Sequence, residues 1–104
     1  MIFTNFIKET DGIYNNTYYS YRSRDLLGNA CFGVFMLNLR MDYATIIYIT
    51  CNIDSVLFNI IKDWTLLNIF KSDIEAVASF KEFLITKGMK FVSNEDCDKY
   101  RILL

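Results

Sequence analysis

The segment that most constrains the fold of this chain is the uncharged run from Tyr43 to Cys51, YATIIYITC. It contains neither glycine nor proline and is rich in β-branched residues, which favours a β-strand. Apolar side chains occupy both alternating sets of positions, as is typical of a strand covered on both faces in the middle of a sheet. Asn52, Asp54 and Ser55 follow directly, and each can cap a helix. The sequence therefore predicts a central strand that leads into a helix folded back over it.

The residues before this run predict three further strands joined by tight turns. The candidate strands are Ile2–Ile7, Ile13–Arg24 and Ala30–Arg40. The Asp-Gly pair at positions 11 and 12 is a strong hairpin signal, because both residues tolerate a positive φ. Gly33, inside the third candidate strand, indicates a bulge or a close approach by another segment. The first half of the chain is therefore predicted to be a four-stranded antiparallel meander.

After residue 52 the apolar residues recur with the period of a helix. One helical face is formed by Ile53, Leu57, Ile60, Ile61, Trp64 and Leu67. This spacing predicts a helix from about Ile53 to Asp63, whereas Trp64–Phe70 would fit either a helix or a strand. Ser72 is a candidate N-cap, and Gly88 a candidate stop, for a second helix over Ile74–Lys87.

The end of the chain predicts two short strands, Met89–Val92 and Lys99–Leu104, with an acidic hairpin loop between them at residues 93–98. Together these elements predict a single α+β domain over residues 1–104, with an antiparallel sheet of four to six strands and two helices packed on one face. The residues expected in its hydrophobic core are Ile46, Ile47, Ile49, Leu57, Ile60, Ile61, Val77, Phe80 and Leu84.

The residue types present exclude the commonest catalytic and metal-binding motifs. The chain has no histidine, which removes Ser-His-Asp and Cys-His catalysis and the commonest zinc ligand. It also has no CxxC pair, no P-loop and no GxGxxG motif. We therefore expect a protein that is not an enzyme and that uses neither a cofactor nor a metal ion.

Charge and hydropathy bear on the surroundings in which the protein works. The net charge of −1 gives no overall field that would attract DNA or an anionic membrane. No apolar run reaches the length of a membrane-spanning helix, and the N-terminal residues do not resemble a signal peptide. We expect a cytoplasmic protein with no membrane partner, in which Cys31, Cys51 and Cys97 are reduced and packed as small apolar groups.

The strand predicted over Ile13–Arg24 is the most promising binding surface, because it combines aromatic and basic side chains and has no acidic residue. The residues predicted to contact a partner are Tyr14, Tyr18, Tyr19, Tyr21, Arg22 and Arg24. Tyrosine and arginine dominate interface hot spots, and they also stack on nucleobases. Neither alternating set of this strand is fully apolar, so we predict that it lies at the sheet edge, where it could pair with a partner or with a second copy. An ordinary ring-lined strand with solvated arginines is the alternative.

The function expected from these features is non-enzymatic protein binding. Residues with AT-rich codons, such as Phe, Tyr, Ile, Asn and Lys, far outnumber Gly, Ala, Arg and Pro, which indicates an AT-rich genome. A small His-free domain from such a source fits a phage- or mobile-element-encoded inhibitor of a host protein, for example a defence nuclease. The alternative is a nucleotide or single-stranded nucleic-acid binding module that uses the strand at residues 13–24.

Overall fold

A computed structural model of the protein describes residues 2–10, 17–25, 27–51 and 55–100, with the backbone alone at residues 48–51 and 55. Its elements in chain order are β1 (Ile2–Thr4), β2 (Ile7–Thr10), β3 (Thr17–Arg24), β4 (Ala30–Leu39), β5 (Ala44–Cys51), α1 (Ser55–Leu67), α2 (Asp73–Thr86), β6 (Lys90–Val92) and α3 (Asn94–Lys99). This composition confirms the predicted α+β class.

Within the described residues, six strands form one sheet in the spatial order β5-β4-β3-β1-β6, and β2 pairs with β3 beside β1. The strands from β2 to β5 pair antiparallel in succession, which confirms the predicted meander. The predicted first strand, Ile2–Ile7, is wrong, because it divides into β1 and the start of β2. Thr10 lies opposite Thr17 where β2 pairs with β3, and the Asp-Gly pair predicted to form the turn lies outside the described residues. The pairing of β1 with β6 is parallel and was not predicted.

Two predicted positions in the sheet are wrong. The uncharged run was expected in the middle of the sheet, but β5 is the strand at one end of the order. The tyrosine-rich β3 was expected at an edge, but it pairs with β4 on one side and with β1 and β2 on the other. Part of the outer edge of β5 is covered from within the chain: Ala44 and Phe70 exchange two backbone hydrogen bonds of 2.7 and 2.8 Å. The edge of β5 is therefore shielded at Ala44, and cover by another segment is one way in which proteins protect an edge strand.

The helices α1 and α2 pack on one face of the sheet, as predicted, and enclose an aromatic core. The ring of Phe35 in β4 stacks between Tyr19 in β3, at 5.2 Å, and Phe80 in α2, at 4.8 Å. Phe6, between β1 and β2, contacts both Phe35 and Phe80 with T-shaped geometry. These contacts fix which face of the sheet is covered by helices.

The predicted core is confirmed in part. Ile46, Leu57, Ile61, Phe80 and Leu84 are buried together, and Val77 packs against them half-buried. The prediction is wrong for Ile47 and Ile60, whose exposed fractions are 42% and 38%. Successive strand residues point to opposite faces, and α1 and α2 cover only the face that holds Ile46. The side chain of Ile49 lies outside the described part of the chain.

Local capping signals determine the bounds of α2 as predicted. The Ser72 hydroxyl accepts the Glu75 N–H at the start of the helix, and Gly88 follows its end with a φ of +88°. The ambiguous segment after Trp64 continues α1 as far as Leu67. Of the candidate caps for α1, Asn52 and Asp54 lie outside the described residues, and Ser55 is the first residue of the helix.

The predicted acidic hairpin loop is wrong, because residues 94–99 form α3. The Ser93 hydroxyl accepts the Asp96 N–H, and acidic residues in the first turn suit the positive end of the helix dipole. Cys97 is buried against the sheet. Lys99 belongs to this helix rather than to a strand, and residues 101–104 of the predicted strand lie outside the described residues.

Two further predictions concern thiols and membranes. Cys31 and Cys97 are both buried, as predicted, whereas the side chain of Cys51 lies outside the described part. Among the described residues, no helix is both long enough and apolar enough to cross a membrane.

Candidate protein-binding face

The sheet has a second face that α1 and α2 do not cover, and alternation along β3 shows which side chains it carries. Tyr19, Tyr21 and Ser23 point toward the helices, so Tyr18, Ser20, Arg22 and Arg24 point the other way. Tyr18 lies opposite Met36, and Met36 lies opposite Ile47, so this side continues across three strands. We name this surface the open face and define it by Ile7, Glu9, Tyr18, Ser20, Arg22, Phe32, Val34, Met36 and Ile47.

The open face is apolar although solvent reaches it. Phe32 is 61% exposed, and Ile7 and Ile47 are also exposed. On the helix side of the same β4 strand, by contrast, Phe35 and Leu37 are buried. β4 therefore presents large apolar side chains on both faces, while α1 and α2 cover only one of them.

The predicted partner-binding residues divide between the two faces. Tyr18, Arg22 and Arg24 point to the open side. Tyr21 is a core residue, Tyr19 packs half-buried against the core, and Tyr14 lies outside the described residues. Tyr21 is 2% exposed, and its ring centroid lies 4.9 Å from that of Phe3. Burial, with a smaller contribution from the charge of Asp73, raises the pKa of Tyr19.

Both arginines of the strand hold α3 against one end of the sheet. Arg22 forms an ion pair with Asp98. The Arg24 Nε donates to the Cys97 carbonyl at 3.1 Å, and its Nη1 donates to the Gly28 carbonyl at the same distance. The guanidinium groups are thus engaged inside the molecule, and one of them is paired with a carboxylate.

A pocket of about 170 Å³ opens on the open face beside α3. It is lined by Thr4, Ile7, Ser20, Tyr21, Arg22, Phe32, Gly33 and Asn94. The Thr4 hydroxyl within it accepts the backbone N–H of Arg22 at 2.9 Å. A wider groove of about 550 Å³ lies on the helical side, along the stacked rings of Trp64 and Phe83, and Glu82 is the acidic side chain in its lining.

Sequence reasoning missed Ile7, Phe32, Val34 and Met36 as surface residues. The signal was present in the third candidate strand, because Phe32, Val34 and Met36 share one alternating set while Cys31 and Phe35 share the other. Among the described residues, no group of three or more Cys, Asp and Glu side chains is placed to hold a metal ion. Comparison of the chain with protein-family models, curated proteins and solved structures finds no match.

Proposed function

We propose that this protein is a non-enzymatic protein-binding factor and that the open face is its binding surface. The observation that carries this proposal is the uncovered set of apolar side chains on β4, led by Phe32 at 61% exposed. An antiparallel sheet with one solvated face normally alternates apolar residues inside with polar residues outside. Here Phe32, Val34 and Met36 occupy the outside positions. Phe32 is exposed, and Val34 and Met36 are half-buried. Apolar side chains that solvent reaches on one face of a sheet are typical of an interaction site.

A protein suits this surface better than a small molecule. The pocket, at about 170 Å³, is smaller than the roughly 300–1,000 Å³ of usual ligand sites. Aromatic, methionine and arginine side chains are also the types enriched at the centres of protein interfaces. The open face carries all three of these residue types, in Tyr18, Phe32, Met36 and Arg22.

Nucleic acid is a weaker candidate, because phosphate contacts need available cations. Arg22 is paired with Asp98, and Arg24 donates to two backbone carbonyls. The net charge of −1 adds no attraction for a polyanion.

The open face is also a better candidate than the edges of the sheet. The outer strand β2 carries Lys8 and Glu9, and charges of this kind discourage strand addition. The edge of β5 is covered at Ala44 by Phe70, and β6 has only three residues. A partner that packs onto the face would meet the exposed side chains of Ile7, Phe32 and Ile47.

We further propose that the bound protein is a host protein, such as a defence nuclease, and that the factor is phage- or mobile-element-encoded and acts in the host cytoplasm. This part of the proposal rests on the AT-rich residue usage and on the small size of the domain. The target would be inhibited if the bound open face covers a functional site of the target.

The test compares a face variant with a matched helix variant. The face variant combines Phe32→Ser and Ile47→Thr, and the control combines Leu66→Ser and Ile74→Ser, which are exposed on α1 and α2. Each protein is immobilised and exposed to host lysate, and a captured protein is then purified and titrated calorimetrically. We expect the affinity of the face variant for the captured protein to fall about tenfold or more, since truncated anchor residues commonly cost more than 1 kcal/mol each. The control variant should bind as tightly as the wild type.

Equal binding by both variants would contradict the role of the open face. A dimer of the wild type in light scattering that the face variant loses would identify a second copy as the partner. Micromolar binding of single-stranded DNA or RNA that weakens steeply with salt would favour the nucleic-acid alternative instead.

A further inference from the structure

We propose that the pocket on the open face is an anchor site for one tyrosine side chain of the bound protein, an inference that rests on the protein-binding function proposed above. The pocket lies where β2, β3 and β4 meet the beginning of α3. Hot-spot residues of protein interfaces commonly insert into such pockets, and tyrosine is among the commonest of them.

The size of the pocket selects a single ring. An engineered protein cavity of about 150 Å³ lined by Leu, Ile and Phe accepts benzene, and the pocket here measures about 170 Å³. One six-membered ring therefore fills the pocket, whereas a nucleotide, with its sugar and phosphate, would extend beyond it.

The walls of the pocket favour an aromatic occupant over an aliphatic one. Phe32 and Ile7 are exposed, so an inserted ring would remove apolar surface of both from water. Phe32 offers a ring for offset or edge-to-face contact. An aliphatic side chain would gain only the first of these contributions.

The polar groups of the pocket favour tyrosine over phenylalanine. Thr4 is engaged, since its hydroxyl already bonds the backbone of Arg22. Within the described part of the chain, the side chains of Ser20 and Asn94 form no hydrogen bond, although both line the pocket. A phenol hydroxyl inserted between them could donate to one and accept from the other, which a phenylalanine ring cannot do.

The first experiment titrates ¹⁵N-labelled protein with N-acetyltyrosinamide, N-acetylphenylalaninamide and N-acetylleucinamide, and follows the amide resonances by NMR. We expect saturable shifts at Arg22, Phe32 and their neighbours, with millimolar affinity. The tyrosine compound should bind about threefold or more tightly than the phenylalanine compound, because of its added hydrogen bond. The leucine compound should give no saturable shift at these residues.

Two variants at Ser20 separate the effect of the pocket's volume from the effect of its hydroxyl group. Ser20→Leu fills the pocket and should abolish binding of all three compounds, while Ser79→Leu, the same change on α2, should leave binding intact. Ser20→Ala keeps the space but removes the hydroxyl, so it should reduce the preference for tyrosine over phenylalanine. Because Ser20→Ala removes only one atom, it tests the site even if the leucine variant does not fold.

The absence of shifts at the pocket, or equal binding by wild type and Ser20→Leu, would overturn the inference. So would saturation of the pocket by adenosine monophosphate without binding of the tyrosine compound. The anchor site and the proposed function can fail separately. If the Ser20→Leu protein still binds its partner with full affinity, the anchor site is refuted but the open face is not. Loss of partner binding in Ser20→Leu but not in Ser79→Leu supports both.

Discussion

The ring of Tyr21 lies across Gly33, its direct cross-strand partner, so closely that a Cβ on Gly33 would stand 2.2 Å from the Tyr21 hydroxyl oxygen. The missing side chain of the glycine makes room for the ring within the covered side of the sheet. Tyr21 in turn contacts Phe3 and Phe6, which connects the centre of the sheet to the aromatic core. The close approach predicted at Gly33 is thereby confirmed, and its cause is a tyrosine that the sequence suggested for a binding surface.

The first prediction is that Gly33→Ala destabilises the fold, because a methyl group cannot coexist with the Tyr21 ring in its present position. Overpacking of this kind usually costs about 1–3 kcal/mol. Urea unfolding of the single variant and of the Gly33→Ala, Tyr21→Val double variant would measure the coupling. We expect the double variant to be less destabilised than the sum of its single changes, whereas strict additivity would show that the contact does not limit this site.

The second prediction separates the two faces of β4. Phe35→Ala should cost about 3–5 kcal/mol of unfolding free energy, as for other buried phenylalanines, because its ring is buried between Tyr19 and Phe80. Phe32→Ser should change the unfolding free energy by no more than about 0.5 kcal/mol, the usual range for surface positions. Chemical denaturation of both variants provides the comparison. A loss of stability in Phe32→Ser similar to that in Phe35→Ala would mean that the open face belongs to the core.

The third prediction concerns the attachment of α3. Arg24→Ala removes hydrogen bonds to the carbonyls of Cys97 and Gly28, so amide exchange across residues 94–99 should accelerate. Arg22→Ala should have a smaller effect, because the ion pair with Asp98 is exposed and such pairs contribute little. Hydrogen exchange followed by mass spectrometry measures both, with Lys8→Ala on β2 as the control. Unchanged protection in Arg24→Ala would show that these two hydrogen bonds do not hold the helix.

The fourth prediction is a pH dependence that originates at Asp25. Desolvation alone would raise the pKa of Asp25, but hydrogen bonds from the backbone and side chain of Asn29 and from the Leu27 N–H outweigh it and hold the pKa below its ordinary value of 3.8. A pKa lowered by folding adds stability above the unfolded value, and this stability is lost as the pH falls through the folded value.

Wild type should therefore be more stable than Asp25→Asn at neutral pH, with a difference that shrinks at pH values below 3.8. Urea midpoints of the two proteins over a series of acidic buffers would show this convergence. A difference that stays constant down to the most acid buffer would mean that the turn depends on shape and not on the charge of Asp25.

Much of the local structure could be predicted from the sequence, because its causes lie within a few residues of each other. Ser72 caps α2 through the N–H of Glu75, and Gly88 ends it, so both bounds follow from neighbouring side chains. The helical spacing of Leu57 and Ile61 identified the buried side of α1 in the same way. The local signal at Ser93 was equally available, and it was overlooked because the acidic residues after it resembled a loop.

Only the tertiary structure decided the order of the strands and which face of the sheet is covered. Because side chains alternate along a strand, Tyr18 and Tyr19 must lie on opposite faces of the sheet. The alternation does not determine which of the two faces the helices. That choice depends on contacts far apart in the chain, such as those of Phe35 with Phe80 and of β1 with β6. The uncharged β5 lies at the end of the sheet, and Phe70, from beyond α1, covers its edge at Ala44. The open face exists for the same physical reason: two helices can cover one side of this sheet, and the apolar residues on the other side remain in contact with water.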